Sequence, residues 1–172
     1  MNISIATTAD IPELNKLINS AYRGESSKKG WTTEAHLLDG VRTDEKSLAA
    51  IISATGATLL ACRNEAGSIT GCVYLQKETG TFYLGMLTVS PSLQAAGIGG
   101  RLLQYAETFV RNNYCSNITM TVVSVRHELI AWYERHGYAK TGETRPFPTD
   151  PAFGIPKQTL EFVVMKKKLS DE

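Results

Sequence analysis

The chain predicts an α/β fold of the α+β kind, with a central mixed, mostly antiparallel sheet of about seven strands flanked by about four helices. Three observations carry this. Ala57 to Arg63 and Ser68 to Gln76 are apolar runs joined by Asn64-Glu65-Ala66-Gly67, a hairpin signal. A third run, Thr81 to Val89, follows the turn Glu78-Thr79-Gly80, so an antiparallel meander is expected. That run ends at Ser90-Pro91, a glycine-rich segment follows, and a helix opens. The next strand is reached through this helix and should therefore lie parallel to Thr81–Val89.

The elements follow in order. Ile3 and Ile5 alternate with polar residues, as in an edge strand. Thr8 or Asp10 can cap a helix with Pro12 near its first turn, and Ile11, Leu14, Leu17, Ile18 and Tyr22 fall at helical spacing. Arg23 to Gly30 has loop composition, and Thr32-Thr33-Glu34 looks like a helix start. From Ala35 to Ile52, Gly40 and Thr43-Asp44 are expected to break the chain into two short helices. After the meander, Ile98, Leu102, Ala106, Phe109 and Val110 form one apolar face, predicting a helix from Gly99 to Asn112. Ile118, Met120 and Val122 alternate in a strand, and Ser124 starts a helix. Leu129, Trp132, Tyr133 and His136 share a face of it, and Gly137 stands in C-cap position. Tyr138 to Thr141 reads as a strand, Glu143 to Lys157 as a stiff proline-rich loop, and Thr159 to Met165 as the closing strand.

Length and composition narrow the class. At 172 residues the chain is expected to form one domain, spanning 1–172. The net charge of +1 gives no basic face of the sort a nucleic-acid binder needs. Lys166-Lys167-Lys168 reads as the solvated end of a strand. Cys62, Cys72 and Cys115 are odd in number and widely spaced, so neither a metal site nor a disulfide framework is expected. No leader or membrane span is readable, which together with free thiols points to a cytoplasmic location.

The chemistry concentrates between Met86 and Leu103. A strand, a glycine loop and a helix N-terminus together make an anion site. The first helical N–H groups lack intrahelical partners, and the helix dipole adds about 0.3–2 kcal/mol for a bound anion. A P-loop would need Lys-Ser or Lys-Thr after its last glycine, but Arg101-Leu102 follows Gly100. A dinucleotide fingerprint would need a third glycine where Leu102 stands. What remains is Gln94-x-x-Gly97-x-Gly99.

That segment, preceded by Leu87-Thr88-Val89, resembles the pyrophosphate-binding motif of the GNAT acetyltransferase superfamily. Ala131-Trp132-Tyr133-Glu134-Arg135-His136-Gly137-Tyr138 resembles a second segment of the family, and the order of elements is similar to the GNAT fold over essentially the whole chain. The resemblance implies an acetyl-CoA-dependent N-acetyltransferase whose splayed parallel strand pair holds coenzyme A. It implies that the backbone of Gln94, Ala95, Ala96, Gly97, Ile98 and Gly99 cradles the pyrophosphate, with Gly100 and Arg101 opening the helix. Leu87 and Val89 would give main-chain contacts to the pantetheine arm, and a donor near Leu87 could polarise the thioester carbonyl. Tyr133 matches the tyrosine that protonates the departing thiolate. The family often carries Asn seven residues before that tyrosine. Here the position is Arg126, which could meet a phosphate or the pantetheine amide instead.

By the same resemblance the acceptor is recognised by Tyr22 to Glu34 and Glu143 to Lys157. Trp31, Phe147 and Phe153 could form an apolar wall, and Glu25, Glu34 and Asp150 could receive a cation, pointing to a small amine or a peptide N-terminus. The aromatics could equally make a homodimer contact. No carboxylate on the strand before the loop offers a general base, so a water chain, Glu25 or Glu34 stay open for that role. Two other readings compete with acetyl transfer. One is a non-catalytic acyl-CoA-binding module of the same fold, which would not need Tyr133. The other is a generic phosphate-binding domain.

Overall fold

The computed structural model describes residues 1–31 and 33–170, with the side chains of Glu25 and Phe153 outside the described set. The elements are β1 (Asn2–Ile5), α1 (Ile11–Tyr22), α2 (Gly24–Ser27), β2 (Leu38–Asp39), α3 (Glu45–Ser53), β3 (Ala57–Arg63), β4 (Ile69–Glu78) and β5 (Thr81–Val89). After the glycine loop come α4 (Ile98–Asn112), β6 (Asn117–Val123), α5 (His127–Arg135), β7 (Ala139–Pro146), β8 (Ile155–Pro156) and β9 (Glu161–Lys168). Seven strands form the main sheet in the order β1-β3-β4-β5-β6-β9-β7. Every neighbouring pair is antiparallel except β5 and β6, which run parallel as the helical crossover requires.

The central strands are buried on both faces, and their side chains alternate between two cores. On β3, Leu60 and Cys62 join a core built with Leu102, Leu103 and Ala106 of α4 and Ile130 and Tyr133 of α5. Leu59 and Ala61 point the other way, into a core with Leu14, Leu17, Ile18 and Tyr22 of α1 and Leu48 of α3. Helices α1 and α3 therefore cover one face of the sheet, and α4 and α5 the other. Gly71 on β4 lets α4 sit close, since a Cβ there would lie 2.8 Å from both the Leu102 side chain and the Thr88 carbonyl. Cys62 and Cys72 are buried and, with the half-buried Cys115, are free thiols.

Two departures from the regular sheet prepare the site. The parallel ladder between β5 and β6 holds only Phe82↔Ile118 and Tyr83↔Thr119, after which the strands part. On its other edge β5 stays paired with β4 to Gly71↔Val89, but the register slips between Cys72 and Tyr74. The extra residue is a β-bulge, and within it Met86 adopts φ 48°, a left-handed conformation uncommon for a side chain of its size.

Four sequence expectations are corrected. Arg23 to Gly30 contains the short helix α2 rather than loop alone. Ala35 to Ile52 does not form two helices: turns lead into β2, and only α3 is helical, capped by Asp44, whose carboxylate accepts from the Ser47 N–H at 2.6 Å. Glu143 to Lys157 is not one loop. Strand β7 extends to Pro146 and β8 pairs with β2 through Leu38↔Pro156 and Asp39↔Ile155. A two-residue strand carries no periodicity, so its pairing is settled by tertiary contacts: Lys157 donates to the Ala35 carbonyl at 2.8 Å and pairs with Asp39 at 3.3 Å. Helix α5 begins at His127, three residues after the expected Ser124.

Candidate active site

The glycine loop gets its shape from two left-handed residues, Ala95 at φ 72° and Gly97 at φ 79°. Such turns gather backbone N–H groups into an anion-binding concavity. A Cβ on Gly97 would meet nothing within 4 Å, so glycine serves its backbone angle there, not a close approach. The glycines at the helix start face α5. A Cβ on Gly99 would reach the Trp132 ring at 3.6 Å, and one on Gly100 would reach His136 Nε2 at 3.6 Å. No acidic residue stands in the first turn of α4 to compete with an anion.

Beside this loop lies a cavity of about 620 Å³. Leu87 and Val89 from β5 and Gln94, Ala95 and Gly97 through Gly100 line it. Ala96 and Arg101 do not. Arg101 is exposed and lies 3.8 Å from the Met1 sulfur. Trp31, expected on the acceptor side, stands instead on this wall, its ring centroid 6.1 Å from that of Trp132. Gln94 ties that segment down: its Oε1 accepts from the Trp31 N–H at 2.7 Å and its Nε2 donates to the Val89 carbonyl at 3.1 Å.

A second, smaller cavity of about 120 Å³ opens where β5 and β6 part. Glu34, Arg126 and Phe147 line it, so Arg126 stands away from the glycine loop. Glu34 is buried and accepts from Arg23 Nη1 at 3.1 Å. Asp150 caps the turn after it, accepting from the Ala152 N–H at 2.9 Å, and is not on the wall. The expectations on the Glu25 and Phe153 side chains fall outside the described residues.

Four residues line both cavities: Tyr22, Leu87, Leu129 and Tyr133. Tyr22 comes from the α1 face and Tyr133 from the α5 face. They meet because the sheet is open between β5 and β6. Tyr133 is buried, edge-on to Trp132 at 5.1 Å and to Tyr138 at 5.8 Å. Burial pushes its hydroxyl well above the usual phenol range; neighbouring Tyr22 pushes the same way and the Arg126 charge pulls back. The Tyr22 hydroxyl donates to the Leu87 carbonyl, next to the bulged Met86. Sequence reasoning missed this role. Tyr22 fitted the apolar stripe of α1, and only its polar tip at the last helical position signalled more. His136 has a structural partner, with Nδ1 2.8 Å from the Trp132 carbonyl, and His127 is exposed at the start of α5.

The loop, the parted strands and the buried hydroxyl lie along two adjoining cavities. A free strand edge needs hydrogen-bond partners, and an arm with amide groups can supply them. Comparisons with known proteins identify the family. The profile described as "Acetyltransferase (GNAT) domain" matches residues 28–148. The chain belongs to the GNAT family of acetyltransferases, a family of N-acetyltransferase enzymes that use acetyl-CoA. It is 24% identical over 141 residues to a protein named IAA acetyltransferase from Azospirillum brasilense, covering 82% of each chain. Its fold matches the ribosomal-protein-alanine N-acetyltransferase of Brucella melitensis at TM-score 0.73 and 21% identity, over 98% of this chain and 100% of that one. It also matches the ribosomal-protein-S18-alanine N-acetyltransferase of Escherichia coli at TM-score 0.72 and 18% identity, over 99% and 95%.

Proposed function

We propose that this enzyme transfers an acetyl group from acetyl-CoA to a primary amine of a small molecule or a peptide N-terminus. The amine attacks directly in a ternary complex, and Tyr133 is the general acid. The observation that carries this reading is that Tyr133 lies at the junction of the two cavities, one beside the glycine loop and one in the strand gap.

Acetyl-CoA, when bound, supplies the acyl group as a thioester whose sulfur must leave with a proton. The N–H groups from Gln94 to Gly100 would hold its pyrophosphate, and the free edge of β5 at Leu87 and Val89 its pantetheine arm. Tyr22 fixes the Leu87 carbonyl and so the backbone geometry of the bulge. Tyr133 keeps its proton at Oη because burial disfavours the phenolate. An exposed thiol, with pKa near 8.5, would be a weak base toward so reluctant an acid. Burial acts on a thiol in the same direction as on a phenol, because it disfavours the charged form of each. Desolvation would likewise raise the basicity of a thiolate beside Tyr133, which favours transfer of the Tyr133 proton to it.

The test is Tyr133→Phe. Turnover, followed as free thiol released, is expected to fall by about 100- to 10,000-fold, the usual contribution of a general acid. The dissociation constant for acetyl-CoA, measured by calorimetry, should stay within a factor of about two. Unchanged turnover would remove Tyr133 from the chemistry. Binding of acetyl-CoA without thiol release from a broad amine panel would favour a binding module.

A further inference from the structure

We propose that the acceptor carries a carboxylate beside its amine, as a free amino acid does, and that Arg42 and Arg126 hold that carboxylate in the smaller cavity. This deepens the acetyl-transfer reading and rests on it. The wall of this cavity presents three guanidinium groups, Arg23, Arg42 and Arg126, against one carboxylate, Glu34. Glu34 is already committed. It pairs with Arg23 at 3.1 Å, both side chains being buried, and its backbone N–H is held by the Tyr22 carbonyl at 2.9 Å. Two guanidinium groups are thus left facing the cavity. Arg42 lies over the Tyr22 ring, 5.7 Å from its centroid. Arg126 is half-buried at the start of α5, where its charge acts on the hydroxyls of both Tyr22 and Tyr133. Among the described residues no carboxylate forms an ion pair with either.

A partly desolvated guanidinium gains most from a planar anion that matches its fork of donors, and a carboxylate is such an anion. The remaining wall is largely apolar, with Thr121, Tyr22 and Tyr133 as its polar members. Phe147 and Phe162 stack with centroids 5.2 Å apart, opposite Leu84 and Met86 of β5. An amine with a carboxylate and a modest hydrocarbon side chain satisfies all three surfaces. The positive wall also disfavours an ammonium ion, so it helps present the amine in the neutral form that attacks. This differs from the cation-receiving site that the acidic residues suggested in the sequence, because Glu34 is neutralised by Arg23 and Asp150 stands off the wall.

The experiment compares free amino acids with their carboxamides, matched in side chain, by thiol release from acetyl-CoA. With the wild-type enzyme the acids should exceed the amides in kcat/KM by about 10- to 100-fold, the usual worth of hydrogen bonds to a charged group. Arg42→Gln and Arg126→Gln should each bring that ratio toward one, mainly through KM for the acid. Equal use of acids and amides by the wild-type enzyme would overturn the proposal and leave acetyl transfer standing. A weaker acetyl-CoA dissociation constant in Arg126→Gln, with the acid-to-amide ratio kept, would return Arg126 to the cofactor and overturn it as well. Thiol release with other primary amines but with no acid or amide would overturn the proposal and leave acetyl transfer standing, whereas acetyl-CoA binding with no release from any amine would overturn the acetyl-transfer reading itself.

Discussion

The two cavities are built in opposite ways. The larger one draws its functional wall mainly from one continuous stretch, Leu87 to Gly100, completed by α5. The smaller one collects Arg23 and Glu34, Arg42, β5, β6, Arg126 and Phe147 from segments far apart in the chain. Backbone does the work in the first, through N–H groups and left-handed turns. Side-chain charge does it in the second. A backbone site of this kind can serve one ligand across many proteins, whereas a side-chain site is re-specified by a few substitutions.

The comparison can be broken at either end. The largest effect on stability is expected at the acceptor side, from Glu34→Ala. It breaks the buried ion pair between Glu34 and Arg23, a change that costs about 3–5 kcal/mol. Chemical denaturation should show the loss. Any folded fraction should keep its acetyl-CoA affinity while acceptor KM rises. Equal loss of both affinities would mean that the two cavities are not separable.

Next comes the backbone site. Gly97→Val forces a β-branched residue to φ 79°, a strain of about 1–3 kcal/mol, at a position where a Cβ itself meets nothing within 4 Å. The loop should relax away from its concave shape. The expected result is a rise of about tenfold or more in KM for acetyl-CoA, with acceptor KM little changed. Preserved acetyl-CoA affinity would show that side chains, not the loop backbone, hold the ligand.

Trp31 sharpens the boundary, because the sequence assigned it to the acceptor and the fold seats it beside the glycine loop. Trp31→Ala removes an aromatic pair with Trp132 worth about 0.5–1.5 kcal/mol, so KM for acetyl-CoA should rise about 2- to 10-fold. A change confined to acceptor KM would move Trp31 to the other side.

The smallest effect belongs to a residue outside both cavities. Asp10 is partly buried, which raises its pKa, but its hydrogen bonds to the Thr7 N–H and Arg63 outweigh that and hold its carboxyl below the ordinary 3.8. A depressed pKa means that its contribution, about 1 kcal/mol or less, is complete above about pH 4 and fades as pH falls through the folded value. Thermal melts of wild type and Asp10→Asn should therefore differ at pH 7 and converge at acid pH, with both KM values unmoved.

Strong local signals survived into the structure. Strand β5 begins and ends at Thr81 and Val89 as read, and α4 starts within one residue of its expected start, because turn residues and apolar periodicity act over a few positions. The parallel β5–β6 pair followed from chain connectivity alone. Other features left no such trace. The β2–β8 pair is too short for a pattern, Tyr22 looked like one more core residue, and Arg42 sat between Gly40 and Thr43-Asp44, where only a break between two helices was expected.

The sequence by itself determined the fold class and the glycine loop that opens α4, while Tyr133 was singled out only by its segment's resemblance to the family. The first two depend on the order of neighbouring residues and on backbone rules that hold wherever that order occurs. Only the tertiary structure decided which charges share the smaller cavity. It sets Glu34 against Arg23 and brings Arg42 and Arg126 from separate elements to one wall. Charge pairing depends on distance in space, and a chain of alternating signs can fold to either sign of pocket. The reach of α1 and α5 into one gap likewise depends on where β6 leaves β5, a long-range balance of packing that no short stretch of sequence encodes.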